Sequence, residues 1–123
     1  MKKLAFLSVL VFIVTACNAQ PSRLNPQEFE KAMKQAGVQI IDIRTAGEYN
    51  SGHIAGAKNI DFYKVSFLAE MKKLDLKKPV LIYCASGNRS GQALGVLKNE
   101  SFVSLSDLQG GIRAWSQAGK SLK

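Results

Sequence analysis

Apolar and polar positions along this chain fall into short runs of two periods. Asn25-Pro26-Gln27-Glu28 opens the first helix, with Asn as cap, Pro at the first helical position and Glu three residues after the cap. Phe29, Ala32, Met33 and Ala36 form its apolar stripe and Gly37 ends it. Val38 to Ile43 is apolar apart from Gln39 and Asp42, close to the pattern of a buried parallel strand. Thr45 and Glu48 predict a capping box on a single helical turn, and Lys58 to Ile60 a short strand. Phe62 to Leu74 reads as a second helix, with Val65, Leu68, Ala69 and Met71 apolar. Val80 to Tyr83 is a strand behind the breaker Lys77-Lys78-Pro79, and a third helix runs to about Lys98. Phe102 to Leu105 reads as the last strand. After the sharp turn at Gly110-Gly111, Ile112, Ala114, Trp115 and Ala118 make a final short helix, stopped by Gly119. Strands alternating with helices at this spacing predict an α/β fold: a small open parallel sheet with helices on both faces.

The candidate chemistry sits where the central strand ends. Val80-Leu81-Ile82-Tyr83 delivers Cys84 to a small Gly-containing turn, and a helix follows with Ala93, Leu94, Val96 and Leu97 on its apolar face. In open parallel sheets the reactive crevice lies beyond the carboxyl ends of the strands. Loop N–H groups and a helix N-terminus there create positive potential, which favours a thiolate nucleophile. Arg89 adds a permanent positive charge at the rim. A cysteine at such a place can also be a small buried hydrophobe.

Residues before the first helix change the cysteine arithmetic. Lys2 and Lys3 precede an apolar run, Leu4 to Val14, broken only by Ser8. It is too short for a bilayer span of about 20 residues and fits a secretory leader. Val14-Thr15-Ala16-Cys17 resembles a bacterial lipobox, which implies a lipoprotein signal peptide over 1–16 and lipidation at Cys17. Cleavage near Ala19 without lipid is the alternative. The lipobox division makes 17–24 a lipidated Cys and polar tether, and 25–123 the domain. It places the protein in the bacterial cell envelope, lipid-anchored, facing the periplasm or on the cell surface. Of the two cysteines, Cys84 is then left as a lone thiol without a resolving partner. The formal charge of +8 could bias the surface toward anionic headgroups or small anions. The one dense cluster, Lys72, Lys73, Lys77 and Lys78, has no interleaved aromatics and reads as a solvated helix end, so no nucleic-acid partner is expected. No metal cluster or nucleotide loop is visible, and no cofactor is expected.

Three stretches together resemble the rhodanese family of sulfurtransferases. They are Ile41-Asp42-Ile43-Arg44 through Glu48-Tyr49 to Gly52-His53-Ile54-Ala55-Gly56-Ala57, then Cys84 to Ser90, then Gly110-Gly111-Ile112-Arg113-Ala114-Trp115 with Ala118-Gly119. The resemblance covers about Leu24 to Leu122 and implies a rhodanese-like fold. It implies that Cys84 attacks a sulfane sulfur of a small anionic donor such as thiosulfate or a polysulfide, becomes a persulfide, and passes the sulfur to a thiol or cyanide acceptor. Ala85, Ser86, Gly87, Asn88, Arg89 and Ser90 would form the loop whose amides hold the sulfur anion, with Arg89 binding the leaving anion or bracing the loop. Asp42 would support the loop from behind, and Arg44 with Glu48 would be a structural ion pair. His53 would hydrogen-bond a turn, and Trp115 would belong to the core.

Two details bear on specificity. Cysteine phosphatases that share this fold place five residues between Cys and Arg, whereas here there are four, Ala85 to Asn88, a ring suited to a single sulfur. Many thiosulfate-using members carry Arg or Lys directly after the Cys, and this chain has Ala85. The other readings left open are a non-catalytic rhodanese-fold module binding an envelope partner, and a redox sensor reacting through an exposed thiolate.

Overall fold

The computed structural model describes residues 2–3, 9–11 and 20–123. Cys17 and most of the apolar run before it lie outside the described residues. Among the described residues no helix is long and apolar enough to cross a membrane.

Ten elements alternate along the chain: β1 (Ser22–Leu24), α1 (Pro26–Ala32), β2 (Gln39–Asp42), α2 (Ala46–Asn50), β3 (Lys58–Asn59), α3 (Phe67–Met71), β4 (Val80–Tyr83), α4 (Asn88–Leu97), β5 (Leu105–Leu108) and α5 (Gly111–Gln117). The five strands form one sheet in the order β1-β5-β4-β2-β3, with every pairing parallel. Both predicted capping boxes are present, Asn25 with Glu28 and Thr45 with Glu48.

The sheet is buried on both faces because strand side chains alternate. Val80, Ile82 and Cys84 point with Ile41, Ile43 and Leu105 into a core closed by Phe67 and Met71 of α3 and Ala93, Leu94 and Leu97 of α4. Leu81 and Tyr83 point the other way, into a core built with Ile40, Leu108, Phe29 of α1, and Ile112 and Trp115 of α5. Phe29 stands edge-on to both Tyr83 and Trp115, with centroids 6.3 Å and 6.1 Å away. Trp115 is a core residue as expected, and its Nε1–H donates to Ser121 O at 3.0 Å.

Three expectations are corrected. Ser22–Leu24, read as the end of a tether, is the edge strand of the sheet. Its polar side chains meet polar partners across the ladder: Ser22 Oγ lies 2.8 Å from Ser106 Oγ, and Arg23 pairs with Asp107. The helix expected over Phe62 to Leu74 is only Phe67–Met71, because Asp61 Oδ1 accepts from Tyr63 N and Asp61 O from Lys64 N, folding those residues into a turn that leaves Val65 exposed. The last strand is Leu105–Leu108 rather than Phe102 to Leu105. Phe102 is buried ahead of the strand, whereas Ser106 and Asp107 lie within the sheet despite their polarity.

Candidate active site

Cys84 directly follows β4, and the turn after it ends where α4 begins at Asn88. The first N–H groups of a helix have no partner inside the helix, and here the turn aims two donors at the sulfur. Gly87 N–H donates to Cys84 Sγ at 3.1 Å and Ser90 N–H at 3.4 Å, while the thiol donates to Ser90 Oγ at 3.5 Å. Backbone donors fixed on a sulfur in this way stabilise negative charge on it without reorganisation. Cys84 is 0% exposed, seated beneath the loop. The rim above it is formed by Ser86 and Asn88, which are exposed, and by Ala85 and Arg89, which are partly buried.

The loop is held from its other side by the start of α5. Ile112 N–H donates to Cys84 O at 2.9 Å, and Arg113 N–H to Ala85 O at 3.1 Å. Gly111, with φ +62°, makes this approach possible: a Cβ there would lie 2.5 Å from Cys84 O and from the carbonyl of Ala85. Beside this junction runs a groove of about 400 Å³ lined by Glu48, Gly52, Ile112, Arg113, Ser116 and Leu122, among others.

The ion pairs differ from those expected. Arg44 does not pair with Glu48; its Nε and Nη2 bind Asp42 at 2.6–3.1 Å, and Nη2 also reaches Gly52 O at 2.7 Å. Asp42 is correspondingly turned to Arg44 instead of to the Cys84 loop, because the two buried charges, two residues apart, satisfy each other. Glu48 instead takes Arg89 in a two-pronged pair, Nη1–Oε1 at 2.8 Å and Nη2–Oε2 at 3.0 Å. Arg89 holds the Glu48 carboxyl down at about 2. This is the bracing arrangement of the two roles considered for Arg89, and its guanidinium also lies over the Tyr63 ring at 5.5 Å. His53 stacks on Tyr49 at 3.9 Å with Nδ1 3.1 Å from Tyr49 O, a turn contact as expected. Tyr83 Oη accepts from Ile54 N–H at 3.0 Å, tying the Gly52 to Ala57 segment under the sheet; burial pushes the Tyr83 phenol well above its usual range.

Two residues escaped the sequence reading. Asp107, 0% exposed, accepts from Ser90 Oγ–H at 2.6 Å and from Arg23 Nε and Nη2 at 3.0 Å and 2.9 Å. Arg23 Nη2 also donates to Gly87 O at 2.7 Å. The available signal was a Ser-Asp pair between two leucines just before Gly110-Gly111, a polar interruption where a buried strand was due.

Comparison with known proteins agrees with this geometry. The family model for the rhodanese-like domain matches residues 25–118. A thiosulfate sulfurtransferase GlpE of Pseudomonas fluorescens is 33% identical over 90 residues, 73% of this chain and 81% of that protein. The uncharacterized protein YqhL of Bacillus subtilis is 35% identical over 101 residues, 81% of this chain and 76% of that protein. Among solved structures, a rhodanese-related protein from Thermoplasma volcanium superposes with a TM-score of 0.73 at 26% identity, covering 83% of this chain and 97% of that one. With its parallel sheet, its cysteine loop and a match over most of its length, the chain belongs to the rhodanese-like domain family.

Proposed function

We propose that this chain is a sulfurtransferase that carries a sulfane sulfur as a persulfide on Cys84. The observation behind this is the pair of backbone donors, Gly87 N–H and Ser90 N–H, fixed on Cys84 Sγ at the mouth of α4. In the first half-reaction the Cys84 thiolate attacks the outer sulfur of the donor. A new S–S bond forms, the donor's own bond to that sulfur breaks, and its electron pair leaves with the residual anion. The product, Cys84–S–S⁻, is again an anion facing the N–H groups of the loop. In the second half an acceptor thiolate or cyanide attacks the terminal sulfur, and the electron pair of the persulfide bond returns to Cys84 as thiolate. Ala85 to Ser90 supply the cradle in both halves, and attack by the thiolate form needs no separate proton acceptor.

The donor that fits best is a polysulfide or persulfide rather than thiosulfate. A dianion needs cations at the rim, but Ala85 supplies none and Arg89 is already engaged by Glu48. A linear terminal sulfur also suits a thiol at the floor of a narrow loop. The lipobox reading is kept as part of the proposal: Cys17 would carry lipid and hold the domain at the cell envelope. Loss of labelled palmitate incorporation in C17S is the expected result.

Intact-mass measurement of the full chain, before and after exposure to polysulfide or to thiosulfate, tests the reaction. A gain of about 32 Da, removed by cyanide and absent in C84S, is the expected result. Charging by thiosulfate but not by polysulfide would overturn the donor assignment. No adduct with either donor, in folded protein with a free Cys84, would overturn the carrier itself.

A further inference from the structure

Behind the Cys84 loop lies an arrangement, buried except for an arginine with its side chain 43% exposed, that the family resemblance did not indicate. Asp107 sits on β5 with no exposed surface, on the face of the sheet covered by α4. Its carboxylate receives the Ser90 hydroxyl, and Ser90 touches Cys84 Sγ through both its N–H and its Oγ. A single bridging side chain therefore separates a buried carboxylate from the sulfur that must become anionic. Unneutralised, that carboxylate would oppose charge on Cys84 by like-charge repulsion at low local dielectric.

Arg23 is built to cancel it. The guanidinium reaches across from β1, one strand over in register with Asp107, and binds both carboxylate oxygens in a fork. It fits in a slot left by missing side chains. A Cβ on Gly91 would lie 3.2 Å from Arg23 Nη2, and one on Gly87 would lie 3.1 Å from it. The same nitrogen donates to Gly87 O at 2.7 Å, which fixes the residue whose own N–H points at Cys84 Sγ. Charge on Cys84 stabilises the Arg23 guanidinium, although Asp107 contributes more.

We infer that Arg23 is a positioning residue for the Cys84 chemistry: it neutralises Asp107, so that Ser90 can face an anionic sulfur, and it pins the Gly87 donor to that sulfur. The inference rests on the sulfur-transfer reading only for its purpose, since the electrostatic effect on the thiol is measurable without any sulfur donor. The other charged groups around the loop are Arg89 from α4, held by Glu48 of α2, and Arg113 at the start of α5.

The test is the pH profile of Cys84 alkylation by iodoacetamide in the full chain, with C84S as blank. Arg23→Met should move the midpoint up by about one pH unit, an approximately tenfold slowing on the acidic limb. Arg23→Lys should restore much of that shift, because it returns the charge. Asp107→Asn should move the midpoint in the opposite direction, since Arg23 is then left uncompensated, and this variant decides the matter if Arg23→Met does not fold. Lys72→Met, which breaks the exposed pair with Glu100 (3.5 Å), is the control and should leave the profile unchanged. Unchanged midpoints in folded Arg23→Met and Asp107→Asn proteins, or shifts of the same sign in both, would overturn the inference and leave Arg23 a structural clip. Opposite shifts in a protein that never gains the sulfur mass would sustain the Arg23 assignment and sink only the carrier reading.

Discussion

The contact between Gly111 and the Cys84 loop sets a quantitative expectation. In Gly111→Ala two costs add. The backbone at φ +62° puts an L side chain in the left-handed region, at about 1–2 kcal/mol. The new Cβ would also lie 2.5 Å from the carbonyl oxygens of Cys84 and Ala85, backbone atoms that cannot swing aside like a flexible side chain. Relieving that overlap pulls α5 from the loop and weakens the bonds from Ile112 N–H and Arg113 N–H, each worth about 0.5–1.5 kcal/mol. The total is about 3 kcal/mol, or roughly 12 °C in Tm for a domain of this size. Gly119→Ala isolates the first cost: φ is +75° and nothing lies within 4 Å of the new methyl, so the loss should be about 1–2 kcal/mol. Gly47→Ala, in α2 with nothing within 4 Å, should be neutral or stabilising by about 0.5 kcal/mol. Thermal and urea unfolding of the three variants reads the series. If Gly111→Ala loses no more than Gly119→Ala, the close approach is not what secures the loop.

Two further predictions concern the residues around the site. Glu48 titrates at about 2 when folded, below its ordinary 4.5, so the Arg89 pair adds stability above pH 4.5 that is lost as the pH falls toward 2. Because Glu48 is partly exposed, solvent screening limits that contribution to about 1 kcal/mol; Glu48→Gln should remove it at pH 7 and flatten the acid limb of the stability curve. An acid limb of unchanged slope in Glu48→Gln would refute the assignment. Tyr83→Phe strands the buried Ile54 N–H and should cost about 1–3 kcal/mol in urea unfolding, and a loss under about 0.5 kcal/mol would show that this amide finds another partner.

How far the sequence was legible depends on whether one period or one motif decided each feature. β4, the two capping boxes and the Cys84 turn were readable because each is a local pattern whose physics closes within a few residues. The truncation of α3 was not, because Asp61 diverts the chain into a turn before an otherwise helix-like stretch. β5 was placed too early because Ser106 and Asp107 look like loop residues until a partner 84 positions away satisfies them. The same long-range pairing hid Arg23. The exchange of ion-pair partners is half local and half long-range: Arg44 binds Asp42, two residues back at the end of β2, and the start of α4 brings Arg89 to Glu48 from 41 positions away.

The three residues of β1 also carry a practical consequence for anyone choosing where to cut this protein. The family match begins at residue 25, and a soluble version starting at Asn25 would look complete by that criterion. It would keep α1, its capping box, the Cys84 loop and every residue of the family motifs. It would also discard Arg23, open β5 as a bare sheet edge, and leave the Asp107 carboxylate with no cation in its fork. Such a truncation would come out less stable, more prone to edge-to-edge association and slower at its thiol. A modest turnover measured on it would describe the cut rather than the whole chain. Starting no later than Gln20 keeps the strand whole.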